Sequence, residues 1–162
     1  MDITGEDGLK LSEHWKNGPR TYLGLALSGF PNMFLINGPG SPSVLSNMVT
    51  SIEQHVDWIT SCIDHVKACG KKAITASKRA EADWFDHVNE TAAGTLLTNS
   101  DSWCIGANVP GKPRFFMVYL GGTAKDKETI ANVALTDTSS LASVDSFLKQ
   151  TKSWNGWLAM QC

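Results

Sequence analysis

One seven-residue stretch, Asn37-Gly38-Pro39-Gly40-Ser41-Pro42-Ser43, constrains the fold of this chain more than any other. Two glycines and two prolines so close together cannot continue a strand or a helix interior, so the segment is a tight turn. Before it, Met33-Phe34-Leu35-Ile36 is apolar at every position, the pattern of a strand buried on both faces in a helix-covered parallel sheet. After it, Leu45, Met48, Val49, Ile52, Val56, Ile59, Ile63 and Val66 recur mostly at steps of three and four, one apolar stripe of a helix. Ser41 suits the N-cap, Pro42 the first helical turn and Gly70 the stop, which predicts a helix about 40 Å long ending near Cys69. Strand, glycine turn and long helix make half of a βαβ unit, and the expected fold class is α/β.

The remaining elements are shorter. Ser12 to Asn17 reads as a capped helical turn, and Thr21 to Phe30 alternates bulky and small residues around the potential breakers Gly24 and Gly29. A second amphipathic helix is predicted over Ser77 to Ala93, with Ala80, Trp84, Phe85, Val88 and Ala92 on one side. Leu96 to Pro113 reads as a long loop, Phe115 to Leu120 as a strand, and Lys127 to Ala134 and Val144 to Lys149 as helices.

Composition removes several classes of function. Fourteen Lys and Arg stand against sixteen Asp and Glu, a net charge of −2, so no basic excess is present to neutralise phosphates and nucleic acid is not an expected partner. The longest unbroken apolar run, Phe115 to Leu120, falls far short of the ~20 residues of a membrane helix. Cys62, Cys69, Cys104 and Cys162 form no CxxC pair, and the acidic start Met1-Asp2-Ile3-Thr4 lacks the basic and apolar regions of an export signal. A reducing, cytoplasmic setting is expected.

Candidate chemistry concentrates at two places. A helix start leaves about four backbone N–H groups unpaired and carries about half a positive charge, so the turn at Gly38 and Gly40 is either a ligand site or a purely structural turn. Trp103 lies between Asn99-Ser100-Asp101-Ser102 and Gly106-Ala107-Asn108, where an indole either plugs a local apolar gap or covers a flat ligand. His55 and His65 lie ten residues apart on the long helix and read as partly exposed or core-edge residues; no HExxH and no Cys–His cluster has zinc spacing, and no metal is expected. Ser41 and Ser43 lack a GxSxG elbow, which favours capping over nucleophilic catalysis.

Several longer motifs share one resemblance. Gly18-Pro19-Arg20-Thr21-Tyr22-Leu23-Gly24, the run Gly38 to Met48, Ser51-Ile52-Glu53-Gln54-His55-Val56, His87-Val88-Asn89-Glu90, Ser102-Trp103 and Gly106 to Arg114 resemble, in this order, the C-terminal third of type I Baeyer–Villiger monooxygenases. The resemblance covers Gly5 to Gly122 and implies an incomplete domain. Residues 1–122 would be the C-terminal part of a Rossmann-like FAD-binding fold with added helices and a loop, and 123–162 a divergent helical tail. It implies FAD and NADP(H) as cofactors and O₂ and a ketone as substrates, one oxygen atom being inserted beside the carbonyl to give an ester or lactone. Gly38, Leu45, Asn47 and Met48 match the segment that meets FAD, Ser43, Val44 and Leu45 the substrate-pocket segment, and Trp103 the tryptophan that closes over NADP. A positive helix end at the pyrimidine side of the flavin would favour the negative charge that reduction places there.

The departures carry equal weight. Paired GxGxxG fingerprints and the family signature FxGxxxHxxxWP are absent from this sequence, as are the Arg and Asp with which the family activates oxygen, so no catalytic residue is expected in this chain. After Gly122 only Trp154-Asn155-Gly156-Trp157 echoes the family. The implied partner is the missing N-terminal pair of FAD and NADP domains, and the chain alone is expected neither to hold FAD tightly nor to turn over. Two other readings compete: a related flavin monooxygenase oxidising nitrogen or sulfur, and a non-catalytic retained fragment with a Trp-rich surface.

Overall fold

The computed structural model describes residues 2–42, 47–68, 70–99, 101–108, 110–111, 113–136 and 141–142. Its elements are a single helical turn α1 (Leu11–His14), the long helix α2 (Met48–Ala68), strand β1 (Thr75–Ala76), helix α3 (Lys78–Ala93), helix α4 (Gly122–Thr136) and strand β2 (Leu141–Ala142). β1 and β2 pair antiparallel, Thr75 with Ala142 and Ala76 with Leu141.

The centre of the molecule is the segment Thr21 to Phe30, in which Tyr22, Leu23, Leu25, Ala26, Leu27 and Phe30 are all buried. Tyr22 donates its N–H to Ala26 O at 2.8 Å across a tight turn whose Leu23 and Gly24 both have positive φ, 59° and 71°. The residues that resembled breakers therefore coil this segment into the core instead of ending an element. α3 packs on it through Ala80, Trp84, Val88 and Ala92, at steps of four along one face, together with Ile105, Phe116 and Val118. Burial of the Val88 side chain alone contributes about 1.5–3 kcal/mol. The helix starts where the sequence places it: Ser77 Oγ accepts the Ala80 N–H at 3.2 Å, an N-cap. α1 is tied to α3 by His14 Nε2 and Glu81 Oε1, 2.9 Å apart.

Three expectations are corrected. Met33 to Ile36 is not a buried parallel strand. Phe34 makes one antiparallel bridge with Ala26, Leu35 N–H donates to Leu25 O at 2.8 Å, and Ile36 is exposed. Asn32 and Asn37, at φ 59° and 52°, turn the chain at both ends and stop the extended backbone after a few residues. The long helix begins at Met48 and not at Pro42, because Ser41 is held in a parallel bridge with Val118, its carbonyl accepting the Tyr119 N–H at 2.8 Å. Phe115 to Leu120 likewise forms no regular strand, only that bridge at Val118. α4 extends the predicted Lys127 to Ala134 helix at both ends, and its Ile130 lies in the same core as α3. The helix expected over Val144 to Lys149 and the Trp154 to Trp157 motif lie outside the described residues.

Candidate site at the glycine turn and the start of the long helix

The glycine turn is clamped from all sides. Gly38 N–H donates to Gly24 O at 3.0 Å, Gly40 N–H to Met117 O at 2.7 Å, and Ser41 N–H to Gly38 O at 3.1 Å. Thr21 Oγ1 donates to Pro39 O at 2.6 Å and Trp84 Nε1 to Gly40 O at 3.2 Å. The glycines are needed for close approach: a Cβ on Gly38 would stand 2.7 Å from Gly24 O, and one on Gly40, at φ +82°, would stand 3.0 Å from Trp84 Nε1. The turn thus spends its N–H groups inside the protein, and Gly38 shapes the backbone without offering a free donor.

The open donors lie further along. Asn47 caps α2, its Oδ1 accepting the N–H groups of Val49 at 3.1 Å and Thr50 at 3.4 Å. Asn47, Met48, Val49 and Thr50 are all exposed, so the positive end of the helix faces outward. Ser43, Val44 and Leu45 lie outside the described residues. Trp103 opens a short 3₁₀ turn, Trp103–Ile105, in which Ser102 Oγ accepts the Cys104 N–H at 3.0 Å. Cys104 and Ile105 point into the core while the Trp103 indole is 48% exposed. It does not plug an apolar gap among the described residues. Met117 joins the two regions: its carbonyl accepts from Gly40, and its N–H donates to Cys104 O at 2.8 Å. Beside the Trp103 turn, Arg114 Nη1 pairs with Asp101 Oδ1 at 2.8 Å.

The orientation of α2 is the least expected feature. The helix buries Ser51, His55, Cys62, His65 and Val66, and leaves the apolar stripe Met48, Val49, Ile52, Val56 and Ile63 exposed. The expectation that His55 and His65 are partly exposed or core-edge is therefore corrected: both are buried, His55 fully, as is Asp126 of α4, with His55 Nε2 3.7 Å from Asp126 Oδ2. Burial pushes the Asp126 carboxyl above its ordinary range, opposed by His55 and Gln54, and burial together with Asp126 pushes the Tyr119 hydroxyl up as well. Burial lowers His65 and pushes the Cys62 thiol up to about 12. Neither His55 with Asp126 nor Met117 was legible as part of the site, since the pair lies on elements distant in sequence and Met117 acts through its backbone alone. An open groove of about 690 Å³, lined by Ile3, Gly5, Phe30, Met33 and Phe34 among others, contains none of the expected site residues. Among the described residues no group of three or more His, Cys, Asp or Glu is placed to hold a metal ion. No described helix is long and apolar enough to cross a membrane.

No protein-family model matches the chain. Individual proteins do. An acetone monooxygenase (methyl acetate-forming) of a Gordonia species is 38% identical over 135 residues, covering 83% of this chain and 25% of the relative. A Baeyer–Villiger monooxygenase of Pseudooceanicola batsensis is 35% identical over 133 residues, 82% of this chain and 24% of the relative. Among solved structures, cyclohexanone monooxygenase from a Rhodococcus species bound to NADP⁺ superposes with a TM-score of 0.82 at 35% identity, over 87% of this chain and 26% of that one. This chain is similar to a C-terminal piece of Baeyer–Villiger monooxygenases. It spans about a quarter of the length of the relatives it matches and corresponds to a C-terminal portion of the Baeyer–Villiger fold, a partial α/β domain. A steroid monooxygenase bound to NADP is 44% identical, with a TM-score of 0.79 over 87% of this chain and 26% of that one. A phenazine N-monooxygenase of Lysobacter antibioticus is also 38% identical, over 137 residues, 85% of this chain and 25% of the relative.

Proposed function

We propose that this chain is the C-terminal wall of an FAD- and NADPH-dependent Baeyer–Villiger monooxygenase and works only when joined to a polypeptide carrying the FAD- and NADP-binding folds. The outward-facing apolar stripe of α2 carries this reading. A soluble helix normally turns its whole apolar stripe to the core; α2 buries Val66 and Cys62 beside Ser51, His55 and His65 and leaves most of its stripe outward, with Val49 exposed at 63% and Val56 at 42%. Such a surface fits burial against a further domain, and the chain's share of about a quarter of its relatives supplies one of the right size.

The described residues fit the flavin at one place. At the start of α2, exposed Asn47 and Met48 sit on a positive helix end with no acidic side chain in the first turn, which suits the electron-rich edge of an isoalloxazine ring. Gly38 contributes the shape of the turn, and the sequence motif adds Leu45 to the flavin set. Trp103, half exposed on a turn anchored through Cys104 and Met117, would cover NADP; the motif assigns Ser43, Val44 and Leu45 to the ketone pocket. FAD, when bound, supplies redox exchange with NADPH and O₂. This chain's part is to hold the ring edge at the helix end, to cover the nicotinamide side with an indole, and to exclude water from the reacting carbonyl. Free, buried Cys62 and Cys104 suit a reducing, cytoplasmic setting.

A second reading is oxidation at nitrogen, favoured by the phenazine N-monooxygenase whose identity equals that of the acetone monooxygenase. Co-expression of this chain with the N-terminal three quarters of the Gordonia relative tests both. NADPH-dependent formation of an ester from a small ketone supports the first reading, N-oxide from an aromatic N-heterocycle the second. Oxidation of neither, by an assembly that retains FAD, overturns both.

A further inference from the structure

On the inward side of α2, the two ring nitrogens of His55 face different elements. Nδ1 accepts the backbone N–H of Asn37 at 3.1 Å, so it carries no proton, and the neutral ring bears its hydrogen on Nε2. Nε2 faces Asp126 Oδ2 at 3.7 Å, an ion-pair contact longer than a hydrogen bond at a nitrogen otherwise unpartnered among the described residues, and Gln54 Nε2 donates to the same oxygen at 3.5 Å. Both His55 and Asp126 are fully buried. Asn37 sits at φ 52°, a left-handed conformation that a non-glycine residue keeps only when its surroundings hold it there. Its side chain is held too, Ser51 Oγ donating to Asn37 Oδ1 at 2.8 Å.

We propose that His55 and Asp126 are a positioning pair: the Asp126 carboxyl fixes the Nε2–H form of the imidazole, and the imidazole in turn fixes Asn37 and the glycine turn behind it. With the proton on Nδ1 instead, ring N–H and backbone N–H would meet donor to donor and the turn would be expelled. α4 is thereby coupled to the glycine turn. Only the relevance of that turn to flavin rests on the proposed function; the coupling itself stands on this chain's geometry.

The test is hydrogen exchange at the Asn37 amide in the complete chain, with Val88 of α3 as internal reference. His55→Phe removes the acceptor and speeds Asn37 exchange at least tenfold. His55→Asn places an amide oxygen near the Nδ1 position and restores protection to within about threefold of wild type. Asp126→Asn speeds exchange at least threefold in the wild-type background and has no effect in the His55→Asn background, since Asp126 acts through the imidazole. Equal exchange in His55→Asn and His55→Phe overturns the proposal, and so does an Asp126→Asn effect that persists in the His55→Asn background. If His55→Phe also exposes Val88, the His55→Asn and double-variant comparisons decide alone. Loss of FAD from an assembly whose Asn37 protection follows the expected pattern counts against the flavin reading and leaves the pair intact.

Discussion

The clamp around the glycine turn makes a quantitative demand on Gly40. Its φ of +82° disfavours any side chain, and its hypothetical Cβ would meet Trp84 Nε1 at 3.0 Å, the same atom that donates to Gly40 O at 3.2 Å. Gly40→Ala therefore incurs two costs: about 1–2 kcal/mol for a left-handed alanine and about 0.5–1.5 kcal/mol as Trp84 moves and its hydrogen bond is lost. The sum is about 1.5–3.5 kcal/mol. Gly70 supplies the control, because its φ is +62° and nothing lies within 4 Å of its hypothetical Cβ. Gly70→Ala incurs the backbone cost alone, about 1–2 kcal/mol. Urea unfolding followed by circular dichroism at low micromolar protein reads both; with a slope of about 1–3 kcal/mol per molar, Gly40→Ala lowers the midpoint by about 1 M and Gly70→Ala by about half that. Midpoints that coincide for the two variants refute the assignment of Gly40 to Trp84 packing and leave the glycine as a turn former only.

Further outcomes follow from the same geometry. The exposed stripe on α2 makes the isolated chain self-associate, and the Val49→Lys, Val56→Lys variant sediments as a smaller species than wild type at equal concentration. Burial raises the Glu81 carboxyl above its ordinary 4.5, against the pull of His14, so the folded state binds more protons than the unfolded one above that value; unfolding free energy falls as pH rises through this window, and Glu81→Gln flattens urea midpoints measured across it. The Cys62 thiol, buried and pushed up to about 12, resists a thiol-specific reagent at neutral pH in the native chain and reacts once urea unfolds it.

What the sequence disclosed was whatever local chemistry decides. α3 is written out in full by Ser77 at its start, Gly94 after its end and four inward residues one turn apart. The end of α2 at Ala68, before Gly70, is equally local. Its start was not, because Ser41-Pro42 has the form of a cap while the partner that claims Ser41 is Val118, far along the chain. The stripe of α2 was visible, but which side of that helix faces the core was not. Periodicity reports an apolar face, and the structure turns most of it outward, burying Ser51 and His55 through contacts to Asn37 and Asp126 beside Cys62 and Val66. Glycines misled at Thr21 to Phe30: Gly24 and Gly29 resembled breakers and instead supply the positive φ angles that fold that segment onto itself. Of the candidate site, Asn47, Met48 and Trp103 stand exposed on turns or helix ends, whereas Gly38 has no free donor to offer.

The central claim is that the exposed side of this chain, from the start of α2 to Trp103, is the side that meets the flavin-bearing domains. Met48 and Trp103 are both oxidisable and 40% and 48% exposed, so hydroxyl-radical footprinting reads them directly. Adding the FAD-loaded N-terminal three quarters of a relative is expected to suppress oxidation of both side chains several-fold while leaving Met33, in the groove lined by Ile3 and Phe30, as reactive as before. Protection of Met33 with Met48 and Trp103 unchanged contradicts the account.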